Sequence, residues 1–362
     1  MKEKFLKFVG KHYLNPKNSL PDRDFIRRIL SLLLPINSKL CFVEKERKST
    51  EKDFYFEEHI KAQLGSIESE SVLLKPKDVK PPFPVVIAFH DHGGYYFHGK
   101  ERLYMDAPPG SFMFEYRKKG YQGRRWVLDL VKNGFAVFCP DAFYFGSRRL
   151  KMEIVKEFVE DEVYQELISL DEESDEYVRL FNKISSRLEP VIWKNINLLG
   201  TNWPAVLLNE DIAWINYLLT REDIDRNRMG SIGFSLGGFR SFLTSALKPE
   251  IKACVVVCFM GEFDENMLGK CAAHTFMVHI PSLSRYMSFP DIAGLIFPRD
   301  LLIIAGEYDH LFPKERITAI KEKFEKIYNQ LPEKLSFKVF PEGHVFSLEM
   351  QECSIKFFKK TL

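Results

Sequence analysis

Cysteine is sparse in this chain of 362 residues and never occurs in the C-x-x-C spacing. Cys254 and Cys258 lie close together, but no second pair of candidate ligands follows at the spacing typical of a zinc site. The six cysteines are scattered, mostly in apolar stretches, at Cys41, Cys139, Cys254, Cys258, Cys271 and Cys353. We therefore expect reduced cysteines in the core, as in proteins of a reducing compartment.

Long hydrophobic runs are also missing. The opening stretch, MKEKFLKFVGKHYLNPKNSL, contains no continuous apolar segment of the kind found in a signal peptide. The longest early apolar patch, Ile29–Ile36, contains a proline and is far shorter than the ~20 residues that a membrane helix needs. The sequence predicts a cytoplasmic protein that does not associate with membranes.

Neither sign of charge dominates. The chain has 52 Lys and Arg against 50 Asp and Glu, and no stretch of it is a purely basic block. This balance gives no support to a nucleic-acid or anionic-membrane partner. The expected partner is a small-molecule substrate, and the sequence leaves the oligomeric state open.

Short apolar runs alternate with helical patterns from about residue 81 onward. The runs predicted as strands are PPFPVVIAFH, FAVFCPD, RMGSIGFS, IKACVVVCF, RDLLIIAGEYD and LSFKVFPEGH. The helical patterns lie in GRRWVLDLVKNG, residues 206–219, GGFRSFLTSAL, PKERITAIKEKFEKIY and FSLEMQECSIKFFKKTL. Fully apolar runs such as VVIAF are typical of strands buried on both faces. The alternation predicts an α/β fold with a mostly parallel central sheet flanked by helices.

Two segments fall outside this alternation. Residues 1–80 predict an amphipathic helix at Arg23–Leu34 and opening strands packed on the core, ahead of the α/β domain at 81–362. Residues 150–198 are charge-rich and contain no strand candidate, so they predict a helical insertion above the sheet edge. Its apolar stripes run along Val155, Val159, Val163 and Leu167, and along Phe181, Ile184 and Leu188. The insertion either caps a binding cleft or packs against the side of the domain, and the pattern favours neither.

The sequence GFSLGG, Gly233–Gly238, follows a predicted strand and precedes a predicted helix. It is the G-x-S-x-G pattern in the strand–turn–helix context of a nucleophile elbow. Gly233 and Gly237 have no Cβ, so strand and helix can approach each other around a cramped Ser235. The turn raises the hydroxyl above the sheet and directs helical N–H groups at the atom it attacks. We predict that Ser235 is a nucleophile; the alternative is a structural serine in a tight turn.

A serine nucleophile needs a histidine base that is held by an acid, and after this elbow the acid precedes the histidine in the chain. The downstream histidines are His274, His279, His310 and His344. Only His344 lies between the last predicted strand and the last predicted helix, so we predict it as the base. His310 falls in the loop that should hold the acid and is interpreted as a wall residue.

The acid is expected where the strand LLIIAGEYD ends. The turn at Gly306 places Asp309 at the C-terminal lip of the sheet, beside the His344 loop, so we favour Asp309 over Glu307. A rival pair follows the preceding strand in MGEFDE and consists of Glu262 and Asp264. We interpret that pair as part of a solvated loop.

A histidine-rich stretch, AFHDHGGYYFHGKE, begins at the end of the predicted strand VVIAFH. Its three histidines raise the possibility of a metal site. A zinc hydrolase of the H-x-H-x-D-H kind, however, needs Asp and His where this chain has Gly94 and Tyr95. No matching cluster of ligands appears later, so we predict neither a metal nor a cofactor.

The backbone of this stretch, rather than its histidine side chains, is predicted to take part in the reaction. A serine hydrolase with this elbow takes one oxyanion N–H from the residue after the nucleophile, here Leu236, and the other from this loop. The paired glycines let the chain turn so that an amide can face the Ser235 hydroxyl, where charge develops on a carbonyl oxygen. His90 and His92 are then interpreted as hydrogen-bonded framework.

These pieces together resemble the α/β-hydrolase superfamily, specifically the bacterial esterase-like group related to dienelactone hydrolases and acetyl xylan esterases. The matching motifs are FHDHGG followed by GK, PDAFYFGSRR, DIDRNRMGSIGFSLGG, FPRDLLIIAGEYDHLFP and PEGH, which span about residues 80–362. The resemblance implies Ser235 as nucleophile, Asp309 as acid and His344 as base. Alignment of FHDHGG with the F-H-G-Y-G-G of the esterases places the second oxyanion N–H at His92, with Gly93 as the neighbouring option.

The resemblance implies a serine hydrolase that cleaves carboxylic esters through an acyl-enzyme, as a carboxylesterase or a deacetylase. Dienelactone hydrolases proper carry cysteine where this chain has Ser235, so specificity for a lactone ring is not implied. Asp91 replaces a glycine of the acetyl xylan esterase pattern, so deacetylation of sugars is not implied either. The alternatives are an amide- or peptide-cleaving hydrolase of the same fold and a catalytically inactive binding protein. Residues 1–80 and 150–198 have no counterpart in the resemblance, and we expect them to shape the acyl and alcohol pockets.

Overall fold

The computed structural model describes residues 20–37, 40–261, 273–312 and 314–362. Within them, nine strands form one sheet. The strands are β1 (Phe42–Glu51), β2 (Tyr55–Leu64), β3 (Ile67–Pro76), β4 (Phe83–Phe89), β5 (Ala136–Pro140), β6 (Ile224–Phe234), β7 (Ala253–Val257), β8 (Asp300–Gly306) and β9 (Leu335–Phe340). Their order across the sheet is β1-β2-β3-β5-β4-β6-β7-β8-β9.

The sheet is parallel from β5 to β9 and antiparallel where β1, β2, β3 and β5 pair in turn. Strands β4, β5 and β7 are buried along their whole length, as fully apolar strands of a two-sided sheet should be. The predicted α/β fold with a mostly parallel central sheet is therefore confirmed. In the parallel part, all strand C-termini meet at one edge of the sheet, and the loops that follow them can share a site.

Helices cover both faces of the sheet. They are α1 (Arg23–Leu33), α2 (Glu101–Tyr104), α3 (Phe112–Tyr121), α4 (Trp126–Lys132), α5 (Met152–Phe158), α6 (Asp161–Ser169), α7 (Asp175–Leu198), α8 (Trp203–Thr220), α9 (Leu236–Leu247), α10 (Ala293–Ile296), α11 (Lys314–Ile327) and α12 (Leu348–Thr361). Successive residues of β4 point to opposite faces. Val86 packs in one cluster with Val127 of α4 and Met350 of α12, and Ile87 packs in another with Trp214 of α8. Among the described residues, no helix has the length and apolar character needed to cross a bilayer.

The helix predicted near the N-terminus is present as α1. Asp22 caps it by accepting a hydrogen bond from the Phe25 amide (2.8 Å), which satisfies one of the free N–H groups of the first turn. Its apolar face is buried, and Ile26 lies so close to α10 that a Cβ on Gly294 would come within 3.1 Å of it. The helix therefore packs on the domain as an integral layer.

Residues 150–198 form helices α5, α6 and α7 and contain no strand. The apolar stripe predicted from Val155 to Leu167 does not lie on a single helix. The backbone becomes extended at Val159, which separates α5 from α6. The second stripe does lie on one helix, and α7 buries Phe181, Ile184 and Leu188. The insertion is thus packed on the domain through α7, and also through Val155 of α5 and Leu167 of α6, which are fully buried.

The cysteines are only partly in the core. Cys139, Cys254 and Cys258 are buried, Cys353 is half-buried and Cys41 is exposed, and all five are free thiols. The expectation of a core position is wrong for Cys41, which immediately precedes the sheet-edge strand β1. Cys271 lies outside the described residues.

Candidate active site

The turn between β6 and α9 holds Ser235 in a conformation that few side chains adopt, with φ 56° and ψ −118°. The flanking glycines make this turn possible. A Cβ on Gly233 would lie 2.1 Å from the backbone of Gly237, and a Cβ on Gly237 would lie 2.1 Å from the carbonyl oxygen of Phe89. The Ser235 amide donates to the Val257 carbonyl (2.8 Å), so the apex is tied to the neighbouring strand.

His344 lies between Ser235 and Asp309 and contacts both. Its Nε2 is 2.9 Å from the Ser235 hydroxyl oxygen, and its Nδ1 is 2.7 Å from Oδ2 of Asp309. With its proton on Nδ1 and donated to the carboxylate, the imidazole keeps Nε2 free to accept the serine proton. The structure thus brings together the three side chains that the sequence proposed for the triad, from three loops at one edge of the sheet.

The loops that carry Asp309 and His344 are joined through their backbones. Strands β8 and β9 pair in parallel up to Gly306 and Phe340, so the two loops begin side by side. The Tyr308 amide then donates to the Glu342 carbonyl (2.9 Å). A Cβ on Gly306 would come within 2.5 Å of the Gly343 carbonyl oxygen. The close approach of acid and base is therefore fixed by main-chain contacts rather than by the side chains alone.

Asp309 is the loop acid that turns inward. It is 4% exposed, and its Oδ1 accepts from the amides of Leu311 (2.9 Å) and Phe312 (3.3 Å), which leaves Oδ2 for His344. Glu307 is half-buried and its amide pairs with the Phe340 carbonyl. The rival acids Glu262 and Asp264 lie outside the described residues.

Two of the other downstream histidines, His310 and His274, lie close to this trio. His310 is exposed, and its ring centroid is 6.0 Å from that of His344. His274 contacts the Leu311 carbonyl oxygen (3.2 Å), and burial lowers its pKa to about 4, so it is neutral at neutral pH. Both histidines lie beside the triad rather than in it, which agrees with the interpretation of His310 as a wall residue.

Cys258 was not predicted as a site residue, yet its thiol lies beneath the acid. It follows β7 in a left-handed conformation (φ 47°), with its Sγ 3.7 Å from the Val345 carbonyl oxygen. Burial, and secondarily the Asp309 carboxylate, raises the pKa of this thiol well above its usual value. The ligand-type atoms of Cys258, Asp309 and His344 lie within 4.8 Å of one another. A cation there would have to displace the proton shared by His344 and Asp309.

The histidine-rich stretch is a hydrogen-bonded framework. His90 is buried, its Nδ1 donates to the Asp91 carbonyl (2.9 Å) and its Nε2 accepts from the Ala142 amide (3.1 Å). Burial, with Arg102 as the next cause, lowers the pKa of His90 well below its usual value, so the ring stays neutral. His98 contacts the Tyr95 hydroxyl through its Nδ1 (2.7 Å).

Asp91, the departure from the acetyl xylan esterase pattern, turns into the protein. Its two carboxylate oxygens accept hydrogen bonds from the hydroxyls of Tyr116 and Tyr121. Burial and the Asp91 carboxylate raise the pKa of both phenols well above the usual value, so both remain donors. Gly93 is needed beside them, since a Cβ there would lie 1.6 Å from the Tyr116 hydroxyl. The Asp91 carboxylate is therefore engaged by hydrogen bonds within the protein.

The backbone at His92 is oriented by Arg102. The Asp91 carbonyl accepts from Nη1 of Arg102 (3.0 Å), and the His92 carbonyl accepts from the same nitrogen (3.2 Å). A trans peptide points its N–H opposite to its C=O, so the amides of His92 and Gly93 face away from Arg102. Among the described residues, neither amide donates to another protein group. The Gly94 amide, in contrast, donates to Nδ1 of His92 (3.1 Å).

The loop that contains His92 and the turn that contains Ser235 begin side by side, at the ends of two neighbouring strands. Phe89 of β4 pairs with Gly233 of β6, so the chain reaches His92 and Ser235 from adjacent positions. The first N–H groups of α9, beginning with Leu236, have no partner within the helix. Amides from both segments are thus available at the edge where Ser235 lies.

Two further motifs of the sequence, PDAFYFGSRR and GK, contact each other near this edge of the sheet. Asp141, in PDAFYFGSRR, accepts from the amide of Lys100 (2.7 Å), from its ammonium group (2.6 Å) and from Ser147. Burial alone would raise the pKa of Asp141, but the charge of Lys100 and its hydrogen bonds to the carboxylate hold that pKa below the usual value. A Cβ on Gly99 would lie 2.0 Å from this carboxylate. Gly99 and Lys100, the GK of the histidine-rich stretch, therefore have a structural role.

Comparison with known proteins places the chain among hydrolases. The model of the dienelactone hydrolase family matches residues 122–357, a range that includes Ser235, Asp309 and His344 and begins after the histidine-rich stretch. Among curated proteins, "Putative hydrolase YtaP" of Bacillus subtilis (strain 168) is 27% identical over 308 residues, which cover 82% of this chain and 85% of that protein.

Solved structures share the fold at low sequence identity. Acetyl xylan esterase 1 from Thermoanaerobacterium sp. JW/SL YS485 is 16% identical with a TM-score of 0.54, and the match covers 96% of each chain. A glucuronoyl esterase from Solibacter usitatus is 13% identical with a TM-score of 0.59, and the match covers 93% of this chain and 91% of that one. The architecture with helices around a mostly parallel sheet is common to all three proteins.

Proposed function

The chain belongs to the dienelactone hydrolase family, and from that premise we propose that this hydrolase is a serine esterase that works through an acyl-enzyme. The family membership confirms the resemblance inferred from the sequence motifs. The observation that carries the proposal is the continuous hydrogen-bonded path from Asp309 through His344 to the Ser235 hydroxyl, with separations of 2.7 and 2.9 Å.

In the proposed acylation step, Nε2 of His344 accepts the Ser235 proton as the serine oxygen attacks the ester carbonyl carbon. The carbonyl oxygen becomes an oxyanion, which the amides of Leu236 and His92 stabilise by hydrogen bonds. The imidazolium then donates its proton to the leaving alkoxide as the ester C–O bond breaks. The products of this step are the free alcohol and an acyl group covalently bound to Ser235.

Deacylation repeats the sequence with water as the nucleophile. His344 accepts a proton from the water, the hydroxide attacks the acyl carbon, and the same proton returns to Ser235 when the acid product leaves. Asp309 keeps the imidazole oriented and stabilises its positive charge in both steps. No metal or redox cofactor takes part in this scheme.

An ester is favoured over an amide as the substrate. Two of the solved structures that share the fold are named as a glucuronoyl esterase and an acetyl xylan esterase. Both names denote carboxylic esters, which is the bond that the proposed chemistry cleaves. An inactive binding function remains as an outcome of the labelling test that follows.

A fluorophosphonate probe should label the protein covalently and stoichiometrically, with the mass adduct on the peptide that contains Ser235. The probe phosphonylates an activated serine, with fluoride as the leaving group, and spares unactivated ones. Ser169→Ala is the matched control, because Ser169 is an exposed serine whose hydroxyl only donates to the Glu166 carbonyl. Its labelling should equal that of the wild type. A protein that binds the probe without forming an adduct would be the inactive binding protein.

A chelator should leave the rate of ester hydrolysis unchanged. Both ring nitrogens of His90 are engaged by backbone groups, and those of His92 by Gly94 and Glu189, so these histidines serve the framework. The measurement is the initial rate on a short p-nitrophenyl ester before and after prolonged incubation with EDTA. A loss of activity that added zinc restores would contradict the metal-free mechanism.

A further inference from the structure

We propose that Glu189 of the insertion helix α7 is a positioning residue for the oxyanion loop, His90–His98, and that it acts through the His92 imidazole. The inference rests on the proposed function, because it assigns a role to Glu189 in stabilising the oxyanion of that reaction. The contact that carries it is the 3.0 Å separation between Nε2 of His92 and Oε2 of Glu189.

The Glu189 carboxylate is the centre of a saturated hydrogen-bond network. Its Oε2 accepts from His92 and from the Tyr96 hydroxyl (2.7 Å), and its Oε1 accepts from the Thr275 hydroxyl (2.5 Å) and the Phe276 amide (3.1 Å). Three segments that are distant in sequence therefore meet on one side chain. They are the oxyanion loop, the insertion helix and the short turn at Phe276–Val278 with the residues before it.

Glu189 is charged although it is buried. Glu189 is 6% exposed, and burying a carboxylate without partners is strongly unfavourable. Burial by itself would raise its pKa, but the hydrogen bond and charge interaction with His92, followed by those from Thr275 and Tyr96, lower it to about 2. The side chain is therefore an anion at any ordinary assay pH and offers four acceptor positions to four donors.

The His92 ring transmits this contact to the backbone. Nε2 donates to Glu189, and the tautomer this requires leaves Nδ1 to accept from the Gly94 amide (3.1 Å). The ring thus spans from the insertion helix to the turn formed by Gly93 and Gly94, whose φ angles are 49° and 68°. Such left-handed glycines have wide conformational freedom, so the contact through the His92 ring restricts the turn further than the two carbonyl contacts of Arg102 do. The proposed oxyanion amide of His92 belongs to this turn.

The network gives the insertion a role that its sequence pattern left open. Beyond Glu189, the ring of Trp193 on α7 lies 5.2 Å from the ring of Phe276. Both contacts fix the helix against residues at the active-site edge. The insertion thereby preorganises the oxyanion hole through its contact with the His92 ring.

The decisive experiment replaces Glu189 by glutamine, which keeps the size of the side chain but presents an N–H₂ group to donors. Loss or displacement of one oxyanion donor lowers kcat by about 10²-fold or more. We expect kcat for a p-nitrophenyl ester to fall on the order of 10²-fold, with KM changed by less than about threefold, because the donor acts on the transition state. Affinity for a trifluoromethyl ketone, which forms a tetrahedral oxyanion on serine, should fall in parallel with kcat.

Thr275→Val is the matched control. It removes a donor from the same carboxylate, and the acceptor of the Met277 amide (3.2 Å), on the side away from the oxyanion loop, while the Phe276 amide still pairs with Oε1. It should lower the melting temperature as Glu189→Gln does but leave kcat within about threefold of the wild type. A folded Glu189→Gln variant with wild-type kcat, or one that changes KM alone, would overturn the inference.

His92→Asn keeps the test decisive if Glu189→Gln does not fold. The asparagine retains the backbone amide and can accept from the Gly94 amide in an Asx turn, but it is too short to reach Glu189. It should show the same fall in kcat, and wild-type kcat in this variant would overturn the inference. Absence of fluorophosphonate labelling in the wild type would instead refute the proposed function, which separates the two failures.

Discussion

Replacement of Ser235 by alanine is expected to lower kcat for ester hydrolysis on the order of 10⁵- to 10⁶-fold, the effect of removing a triad nucleophile in serine hydrolases. The variant loses the only atom that can form the acyl-enzyme, while Asp309 and His344 stay in place through their own contacts. KM should change little, because the hydroxyl forms no part of the substrate-binding surface beyond the reacting atom. Initial rates with purified protein on a p-nitrophenyl ester measure the effect.

The fold should survive this change. The turn at Ser235 is held by its backbone, through the bond from its amide to Val257 and the bond from the Phe239 amide to its carbonyl (3.1 Å). Alanine tolerates the strained φ as well as serine does, so the free energy of unfolding should stay within about 1 kcal/mol. A variant that melts normally and still hydrolyses the ester at more than a few per cent of the wild-type rate would show that another group is the nucleophile.

The parallel sheet could be predicted because the sequences of its strands are compatible with few other structures. Runs such as those of β4 and β7 are short, wholly apolar and bounded by turn residues, and only a sheet covered on both faces buries such runs. Helices α9 and α12 follow strands closely, and α9 is buried along nearly its whole length. Local pattern and tertiary environment agree in these elements, so the pattern was sufficient.

Helix α3 was missed for the opposite reason. Its sequence, FMFEYRKKGY, has no apolar face at helical spacing, and it is held by long-range contacts. The amide of Phe112 donates to both carboxylate oxygens of Asp175 on the insertion helix (2.9 and 3.0 Å). Tyr116 and Tyr121 reach the buried Asp91. None of these partners is near in sequence, so no local pattern could reveal them.

Buried charges were likewise invisible in the sequence. Glu210 and Asp211 are adjacent acids on α8 and would ordinarily be read as a solvated face, yet both are at most 2% exposed. Glu210 accepts two hydrogen bonds from Arg148, and Asp211 accepts two from Arg240. Each acid is buried because a guanidinium from elsewhere in the chain matches it.

The residues of the candidate site divide in the same way. Ser235, Asp309 and His344 could be proposed because each follows a recognisable strand in a fixed chain order. Glu189 could not, because it is one acid among many in a charge-rich helix. Its partner His92 lies 97 positions earlier in the chain, and the amide of Phe276 lies 87 positions later. Only the fold brings these groups together.

Replacement of Asp309 by asparagine should lower kcat by about 10⁴-fold with little change in KM, as the loss of a triad carboxylate does in serine hydrolases. The reason follows from the two oxygens of Asp309. Oδ1 accepts from the amides of Leu311 and Phe312, so the asparagine oxygen must take that place. Its N–H₂ group then faces Nδ1 of His344.

That orientation reverses the tautomer of the base. An N–H₂ donor requires Nδ1 of His344 to act as an acceptor, so the imidazole carries its proton on Nε2 and directs it at the Ser235 hydroxyl. The ring can no longer accept the serine proton, although every heavy atom keeps its position. Fluorophosphonate labelling should slow together with ester hydrolysis, since both reactions need the same proton transfer.

Glu307→Gln is the matched control for this prediction, because Glu307 is the other acid of the same loop. It should keep kcat within about threefold of the wild type, while Asp309→Asn loses nearly all activity. The reverse result, an active Asp309→Asn and an inactive Glu307→Gln, would mean that the loop rearranges on substrate binding and presents Glu307 to His344. In that case the 2.7 Å contact between Asp309 and His344 would describe a resting arrangement rather than the one that carries the reaction.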